Sequence, residues 1–300
     1  MRTKTYLFAL MAMALTLGSC SDNENGIGGE TSKYITVSTS IGNMTRVATD
    51  ANGGQTFEEG DEISVYAWTG APTVAPETSE RVVNNAINKL TNGSWVATPQ
   101  MLWKNNRDKH YFIGVYPVSA ISDLSAGEYT FDETKQVESD LLVAVNKDGI
   151  SYNVDEQQTV PLPFTHVMAK LVVNLTYKNQ WGGIPTVEKV AVGNAAKEAT
   201  VNYLTKTVTP STTVKEDFSL PEITENTKYV SVIIPQEEVK QLTIVIGGKN
   251  FVYDNGTPFK LESGKITTVN LEVGRDEIKL GDVKITNWED GSTFSGEALN

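Results

Sequence analysis

Residues 167–177 read VMAKLVVNLTY, and the apolar side chains of this stretch recur at every second position. Successive side chains of a β-strand point to opposite faces, so this period predicts a strand with one buried face. Lys170 falls on the opposite, polar face. The stretch 34–41 shows the same pattern. The buried faces are predicted to carry Ala169, Leu171, Val173, Leu175 and Tyr177 in the later strand and Ile35, Val37 and Ile41 in the earlier one.

Short apolar runs of the same kind fill the chain beyond residue 33, and Gly, Asn, Asp and Pro separate them. Asn92-Gly93 and Gly247-Gly248 each stand between two such runs, and both dipeptides readily adopt the positive φ of a tight hairpin turn. Hairpins join antiparallel strands, so the sequence predicts an all-β protein of antiparallel sheets. The segment 79–89 is open between a strand and a short helix. Further strands are predicted at 63–68, 111–116, 141–145, 187–192, 199–203, 229–234, 242–246 and 266–273.

Two prolines indicate a domain boundary. Pro161 and Pro163 lack the N–H that a β-ladder needs, and they stand between two strand-rich halves of the chain. With 300 residues the chain is long enough for two domains of about 100 to 150 residues each. We therefore predict an N-terminal β-sandwich domain at 34–162 and a C-terminal β-sandwich domain at 163–300.

The first 20 residues have the features of an export signal. Arg2 and Lys4 precede an apolar stretch at 6–17, and small residues follow it, which is typical of a secretory signal peptide. The apolar stretch is shorter than the roughly 20 residues that span a bilayer as a helix. We therefore expect residues 1–20 to direct export rather than to form a transmembrane helix.

Cys20 is the single cysteine, so no disulfide can form within the chain. The sequence Leu17-Gly18-Ser19-Cys20 resembles the lipobox of bacterial lipoproteins, in which the cysteine sulfur receives a diacylglyceryl group. This resemblance predicts lipidation of Cys20 and anchoring in the outer membrane; an ordinary signal peptide with an incidental cysteine is the alternative. Residues 21–33 are polar and rich in glycine, which is typical of a flexible tether. Their acidic start is similar to the surface-export signal of lipoproteins, or it belongs to a simple spacer.

The net charge of −12 makes polyanions unfavourable partners. Nucleic-acid phosphates and anionic lipid surfaces are bound by clustered Lys and Arg side chains. We therefore predict no nucleic-acid partner. The acidic balance is compatible with solubility at an exposed surface.

Residues suited to catalysis are sparse. A nucleophile needs a neighbouring base, and the two histidines, His110 and His166, both lie in strand-like apolar settings. The sequence contains no Gly-x-Ser-x-Gly elbow, Walker loop or His-Glu-x-x-His helix. Acidic pairs such as Glu58-Glu59 and Glu289-Asp290 adjoin glycines in predicted turns, where solvated side chains are expected. We predict a structural role for both histidines and a protein that is not an enzyme, without cofactor or metal site.

Eight stretches, taken in order, carry a family resemblance. They are Thr45-Arg46, FEEGDEISVYA at 57–67, Trp95, Trp103, YFIGVYP at 111–117, DLLVA at 140–144, PFTHVMAKL at 163–171 and ITNWEDG at 285–291. Together they resemble the fimbrillin superfamily, the subunits of the protease-assembled (type V) pili of Bacteroidota. The order and spacing of the stretches make the resemblance specific, because each stretch is short.

The resemblance implies both a fold and a route of assembly. It implies two tandem β-sandwich domains of transthyretin-like topology, exported as a lipoprotein. An Arg-specific protease would cut in the loop after the first strand, which here is the Arg46–Val47 bond, and so remove strand 34–41. The groove left behind would accept the donor segment 283–294 of another subunit, with donor residues Val283, Ile285 and Trp288. The implied partners are copies of this chain or other fimbrillin subunits.

The leading hypothesis is therefore a structural subunit of a cell-surface pilus that supports adhesion. The alternative is a non-polymerising surface lipoprotein of the outer membrane that binds host glycans or proteins. Tryptophans would then serve as stacking platforms, although the same side chains also suit a core; they are Trp68, Trp95, Trp103 and Trp181. Trp288 is likewise open between a donor residue and one that packs the last strand onto its own domain.

Overall fold

The computed structural model describes residues 33–42, 56–156 and 158–288, and nearly all regular structure in these ranges is β. Two 3₁₀ turns, at Thr78–Glu80 and Asn179–Trp181, are the helical elements of the described residues. The strands are β1 (Thr36–Ile41), β2 (Glu62–Thr69), β3 (Val83–Thr91), β4 (Ser94–Thr98), β5 (Lys109–Tyr116), β6 (Gly127–Thr130), β7 (Leu142–Ser151), β8 (Thr159–His166), β9 (Ala169–Tyr177), β10 (Val187–Ala196), β11 (Glu198–Asn202), β12 (Thr207–Pro210), β13 (Lys215–Ser219), β14 (Glu222–Thr224), β15 (Lys228–Ile233), β16 (Gln236–Ile246), β17 (Lys249–Leu261), β18 (Lys265–Val273) and β19 (Ile278–Asn287).

These strands form four sheets within the described part of the chain. Their orders are β1-β8-β7-β5-β2-β3-β4, β13-β10-β16-β17, β12-β11-β6 and β14-β15-β9-β18-β19. Most neighbours are antiparallel, as predicted. Two neighbouring pairs are parallel, β1 with β8 and β9 with β18. A parallel pair cannot be joined by a hairpin, so these pairings have no short-range signal in the sequence.

The alternation that predicts β9 is confirmed. Ala169, Leu171, Val173 and Leu175 are all buried, and β9 lies between β15 and β18. Lys170 was expected on a polar, solvent-facing side, but it is only 3% exposed. The reason lies outside β9, because an aromatic ring from the end of the described chain covers this face.

Both predicted hairpin turns are present. Asn92 and Gly93 join β3 to β4 with φ of 50° and 72°, and Gly247 and Gly248 join β16 to β17 with φ of 58° and 70°. Two successive positive φ values match the right-handed twist of the flanking strands. The ambiguous segment 79–89 is mainly strand, since β3 begins at Val83.

Pro161 and Pro163 lie inside β8. β8 pairs with β1 over residues 159–164, but its pairing with β7 is confined to residues 164–166. Both prolines therefore lie in the part of β8 that does not pair with β7. On that edge the strand needs no N–H donor, so proline is tolerated there. Their side chains are exposed and alternate with the buried Val160, Leu162 and Phe164.

Two apolar clusters fill the interior of the described chain. One lies within the seven-stranded sheet and includes Ile35, Val65, Phe112 and Leu162. The other draws on both halves of the chain; residues of β5 such as Ile113 pack in it with residues of β9, β16 and β18. In addition, β6 pairs with β11 across the predicted boundary, which itself falls inside β8. The division into domains 34–162 and 163–300 and the transthyretin-like topology stay predictions.

Candidate functional site

β1, the strand predicted to be removed, forms one edge of the seven-stranded sheet. It runs parallel to β8, from Thr36 opposite Thr159 to Ile41 opposite Phe164. The side chains of Ile35 and Val37 are 1% and 6% exposed and belong to the core of this sheet. The first strand therefore supplies part of the core to which it attaches.

The other side of β1 approaches the far end of the same sheet. Near its start, Ile35 N–H donates to Met101 O at 3.0 Å, and Trp103 N–H donates to Lys33 O at 3.2 Å. Farther along, Trp95 Nε1–H of β4 donates to Thr39 Oγ1 at 3.0 Å. Residues of β1 and β4 also line a cavity of about 540 Å³, here called the β1–β4 groove. Its lining comprises residues 36–41, Thr56, Phe57, Leu90, Gly93, Ser94, Trp95 and Thr159.

An aromatic cluster closes one end of the β1–β4 groove. Phe57 makes edge-to-face contacts with Trp95, Tyr116 and Phe164, with ring centroids 5.3, 5.5 and 5.1 Å apart. Such contacts add to the area that each ring buries. These contacts hold the chain in place at Phe57, five residues before β2 begins. Sequence analysis missed this cluster, because its four members come from four separate segments.

The predicted lipidation and processing residues, Cys20, Arg46 and Val47, lie outside the described residues. The same is true of residues 289–294 of the predicted donor segment. The structure does describe the chain on both sides of residues 43–55. At one end Gly42 N–H donates to Phe164 O at 2.9 Å, and at the other Phe57 enters the aromatic cluster.

β19 is an edge strand of the five-stranded sheet and runs antiparallel to β18. Val283 and Ile285 lie on the same face of β19 and are 36% and 39% exposed. Trp288, the third predicted donor residue, does not join them. It lies just beyond β19 and is 5% exposed.

Trp288 packs in a small cluster of titratable side chains. Its indole stacks on the His166 imidazole with centroids 4.1 Å apart and ring planes 6° apart. Lys170 Nζ lies 5.2 Å from the centroid of the indole. His166 Nδ1–H donates to Asp140 Oδ1 at 2.8 Å. Asp140, His166, Lys170 and Trp288 are called the Trp288 cluster below. Trp288 therefore packs onto its own chain in this structure, and its role as a donor residue stays a prediction.

Burial dominates the electrostatics of the buried basic groups. The desolvation of Lys170 lowers the pKa of its ammonium to about 8, and the negative charge of Asp140 opposes this shift. Burial also lowers the pKa of His110. His110 Nε2 accepts a hydrogen bond from Lys104 N–H at 3.1 Å, and its Nδ1–H donates to Asp108 O at 3.1 Å. These contacts are those of a neutral imidazole that supports a turn.

The tryptophans considered as stacking platforms are packed into the fold. Trp68 and Trp103 are buried, and Trp103 stacks on Tyr152 with ring centroids 5.8 Å apart. Trp95 and Trp181 are half-buried. Trp181 Nε1–H donates to Val273 O at 3.0 Å. Trp68 and Trp103 line a cavity of about 770 Å³, but they are only 2% and 8% exposed.

Two further features concern the described ranges, residues 33–42, 56–156 and 158–288. No helix there has the length and apolarity to cross a membrane. No group of three or more His, Cys, Asp or Glu side chains in those ranges is placed to hold a metal ion.

The fold and site define a class: an all-β protein in which edge strands lie near both ends of the described chain. The sequence model of the fimbrillin-like family matches residues 45–288. The chain belongs to this family. Comparison with curated protein sequences finds no match.

Solved structures share the fold. A candidate cell adhesion protein from Bacteroides uniformis aligns with 18% identity and a TM-score of 0.64, covering 86% of this chain and 100% of its own. A second, from Bacteroides ovatus, aligns with 16% identity and a TM-score of 0.63, covering 85% and 98%. A fimbrial protein from Bacteroides vulgatus aligns with 13% identity and a TM-score of 0.51, covering 84% and 99%. At these identities the similarity is one of fold.

Proposed function

We propose that this chain is a structural subunit of a cell-surface fimbria, that it supports adhesion, and that it assembles by strand exchange. Membership of the fimbrillin-like family supports the fimbrial role, and the fold shared with fimbrial and candidate cell adhesion proteins agrees with it. The observation that carries the assembly step is β1, an edge strand whose Ile35 and Val37 fill core positions.

Assembly begins with export as a lipoprotein anchored to the outer membrane through Cys20. Cleavage of the Arg46–Val47 bond then removes the anchor and β1 together. Loss of β1 leaves β8 with unpaired N–H and C=O groups beside two empty apolar positions. A sheet edge of this kind is a template for another strand.

The donor is residues 283–294 of another subunit. Val283 and Ile285 are two residues apart, as are Ile35 and Val37, so an extended donor places two apolar side chains in the vacated positions. Both donor side chains are partly exposed in their own sheet. Their transfer to a buried groove therefore removes apolar surface from water.

Proteolysis of the purified full-length chain tests the processing step. We expect an Arg-specific protease to produce a new N-terminus at Val47 and oligomers that resist SDS, with filaments visible by electron microscopy. Arg46→Ala should abolish both results. Arg107→Ala is the matched control, because Arg107 is an exposed arginine in the loop between β4 and β5. A stable monomer after cleavage at Val47 would contradict strand exchange, and an uncut Arg46–Val47 bond would contradict the processing step.

Membrane partitioning in the native cell tests the anchor. Cys20→Ala should move the chain from the membrane fraction to the soluble fraction, since the thiol that carries the lipid is gone. Ser19→Ala keeps a small residue before the cysteine and should leave the chain in the membrane fraction. The anchor is refuted if Cys20→Ala partitions like the parent chain.

A further inference from the structure

β19 contributes to the interior at its start, where Ile278 and Leu280 are half-buried and pack against the core. Each of its residues, 278–287, is half-exposed or exposed. It stands at the edge of its sheet, so within the described residues its strand neighbour is β18 alone. Backbone hydrogen bonds along one edge, with little apolar burial, hold a strand weakly, and such segments open locally at low free energy.

Trp288 follows β19 directly and is held differently. Its indole is almost fully buried against the His166 ring, and its backbone N–H donates to Gly264 O at 3.1 Å. Tryptophan buries more apolar area than other side chains, so Trp288 anchors the end of β19, where no side chain of residues 281–287 is buried.

The slot that receives Trp288 is built by elements other than β19. His166 ends β8, Lys170 belongs to β9, and Asp140 precedes β7 and pairs with His166. β8 and β9 each have a strand neighbour on both sides, and neither of them pairs with β19. The slot is therefore a preformed receptor for the indole.

The docked indole also has an unfavourable feature. Among the described residues, no acceptor lies within hydrogen-bond reach of the buried Trp288 Nε1–H. Burying a donor without a partner costs free energy, which lowers the stability of the docked state. The buried indole thus stabilises the position of β19, while the unpaired Nε1–H lowers the free energy needed to undock it.

We propose that Trp288 is a latch that keeps β19 in its own sheet, and that its indole must leave the slot before residues 283–294 can serve as donor to another subunit. The second clause rests on the proposed function, whereas the latch concerns contacts within one chain. The latch explains why the segment stays with its own subunit until an acceptor groove is available.

Hydrogen exchange measured by mass spectrometry on the full-length chain tests the latch. Trp288→Ala should speed the exchange of amides in 278–287 by at least about 100-fold, the size expected when a buried indole is removed, with β9 and β15 unchanged. Trp288→Phe keeps a ring for stacking and should give a smaller increase, of about tenfold. Trp181→Ala is the matched control, because Trp181 contacts the connection at the opposite end of β19.

Three results would overturn the latch. Unchanged exchange of β19 in both Trp288 variants is one, and equal acceleration throughout the chain is another, since Trp288 would then be an ordinary core residue. The third is an effect of Trp181→Ala on β19 as large as that of Trp288→Ala.

Protease-treated samples separate the latch from the proposed function. If Trp288→Ala loosens β19 and also assembles faster than the parent chain, both proposals are supported. If it loosens β19 while neither protein assembles, the latch stands and the proposed function fails. If assembly occurs but exchange in β19 is unaffected, the latch fails and the proposed function stands.

Discussion

β1 and β19 are both edge strands, but the protein holds them in opposite ways. β1 places Ile35 and Val37 in the core, and its backbone is bonded to β8 along its length and to residues near Met101 at its start. β19 exposes Val283 and Ile285 and is fixed by the buried residue that follows it. The first strand places side chains fully in the core, whereas β19 reaches the core only through the half-buried Ile278 and Leu280 and is followed by the buried Trp288. A strand of the first kind is released by cutting the chain, and a strand of the second kind by undocking one side chain.

The largest expected effect compares Ile35, which directly precedes β1, with Ile285 of β19. Ile35→Ala should lower the free energy of unfolding by about 3 kcal/mol, because it removes a buried side chain and leaves a cavity. Ile285→Ala should cost less than about 1 kcal/mol, because that side chain is already in contact with solvent. Urea denaturation of the two variants measures both values. Equal losses would break the comparison.

A pH effect at the Trp288 cluster is expected to be somewhat smaller. Burial holds the pKa of Lys170 near 8, below the usual value near 10.5. Between these two values the unfolded chain binds more protons than the folded chain, so stability rises with pH. Below about pH 8 the folded state bears the full cost of a buried charge, and this cost is on the order of 2 kcal/mol.

Lys170→Met tests this assignment. The variant lacks the buried charge, so its stability advantage over the parent should be largest near pH 7.5 and should shrink towards pH 10. Lys240→Met, which removes an exposed lysine, is the matched control. Thermal unfolding at several pH values measures the difference. An advantage of Lys170→Met that does not change with pH would show that Lys170 does not titrate in this range.

The smallest effect concerns the closure of the β1–β4 groove. Thr39→Val removes the acceptor of Trp95 Nε1–H and should cost about 1 kcal/mol, the usual size of one such hydrogen bond. Ser40→Ala changes an exposed neighbour on the same strand and should cost less than about 0.5 kcal/mol. Chemical denaturation resolves this difference. If the two variants are equally stable, the hydrogen bond between Trp95 and Thr39 contributes nothing to stability.

Local rules of the chain were enough for many elements. The alternation in 167–177 predicts β9 and the side chains that it buries, and Asn92-Gly93 predicts the turn between β3 and β4. Where a rule failed, a distant contact was responsible. Lys170 is buried because Trp288 covers it, and Pro161 is accepted in β8 because β7 does not pair along that part of the strand.

The candidate site divides in the same way. Ile35 and Val37 were assigned to a buried face from spacing alone, and the structure confirms this. The sequence leaves two roles open for Trp288, that of a donor residue and that of a residue packed onto its own domain. Both roles are compatible with the same local sequence pattern. Cys20, Arg46 and Val47 stay predictions about residues outside the described ranges.

By itself the sequence determined the all-β class, the faces of the strands and the hairpin turns, because period two and positive φ are properties of a few adjacent residues. Only the tertiary structure decided that β1 lies parallel to β8, that the ends of its sheet approach each other, and that Trp288 stacks on His166. Those contacts join segments far apart in the chain, and the free energy that selects them comes from shared burial, which no local pattern encodes.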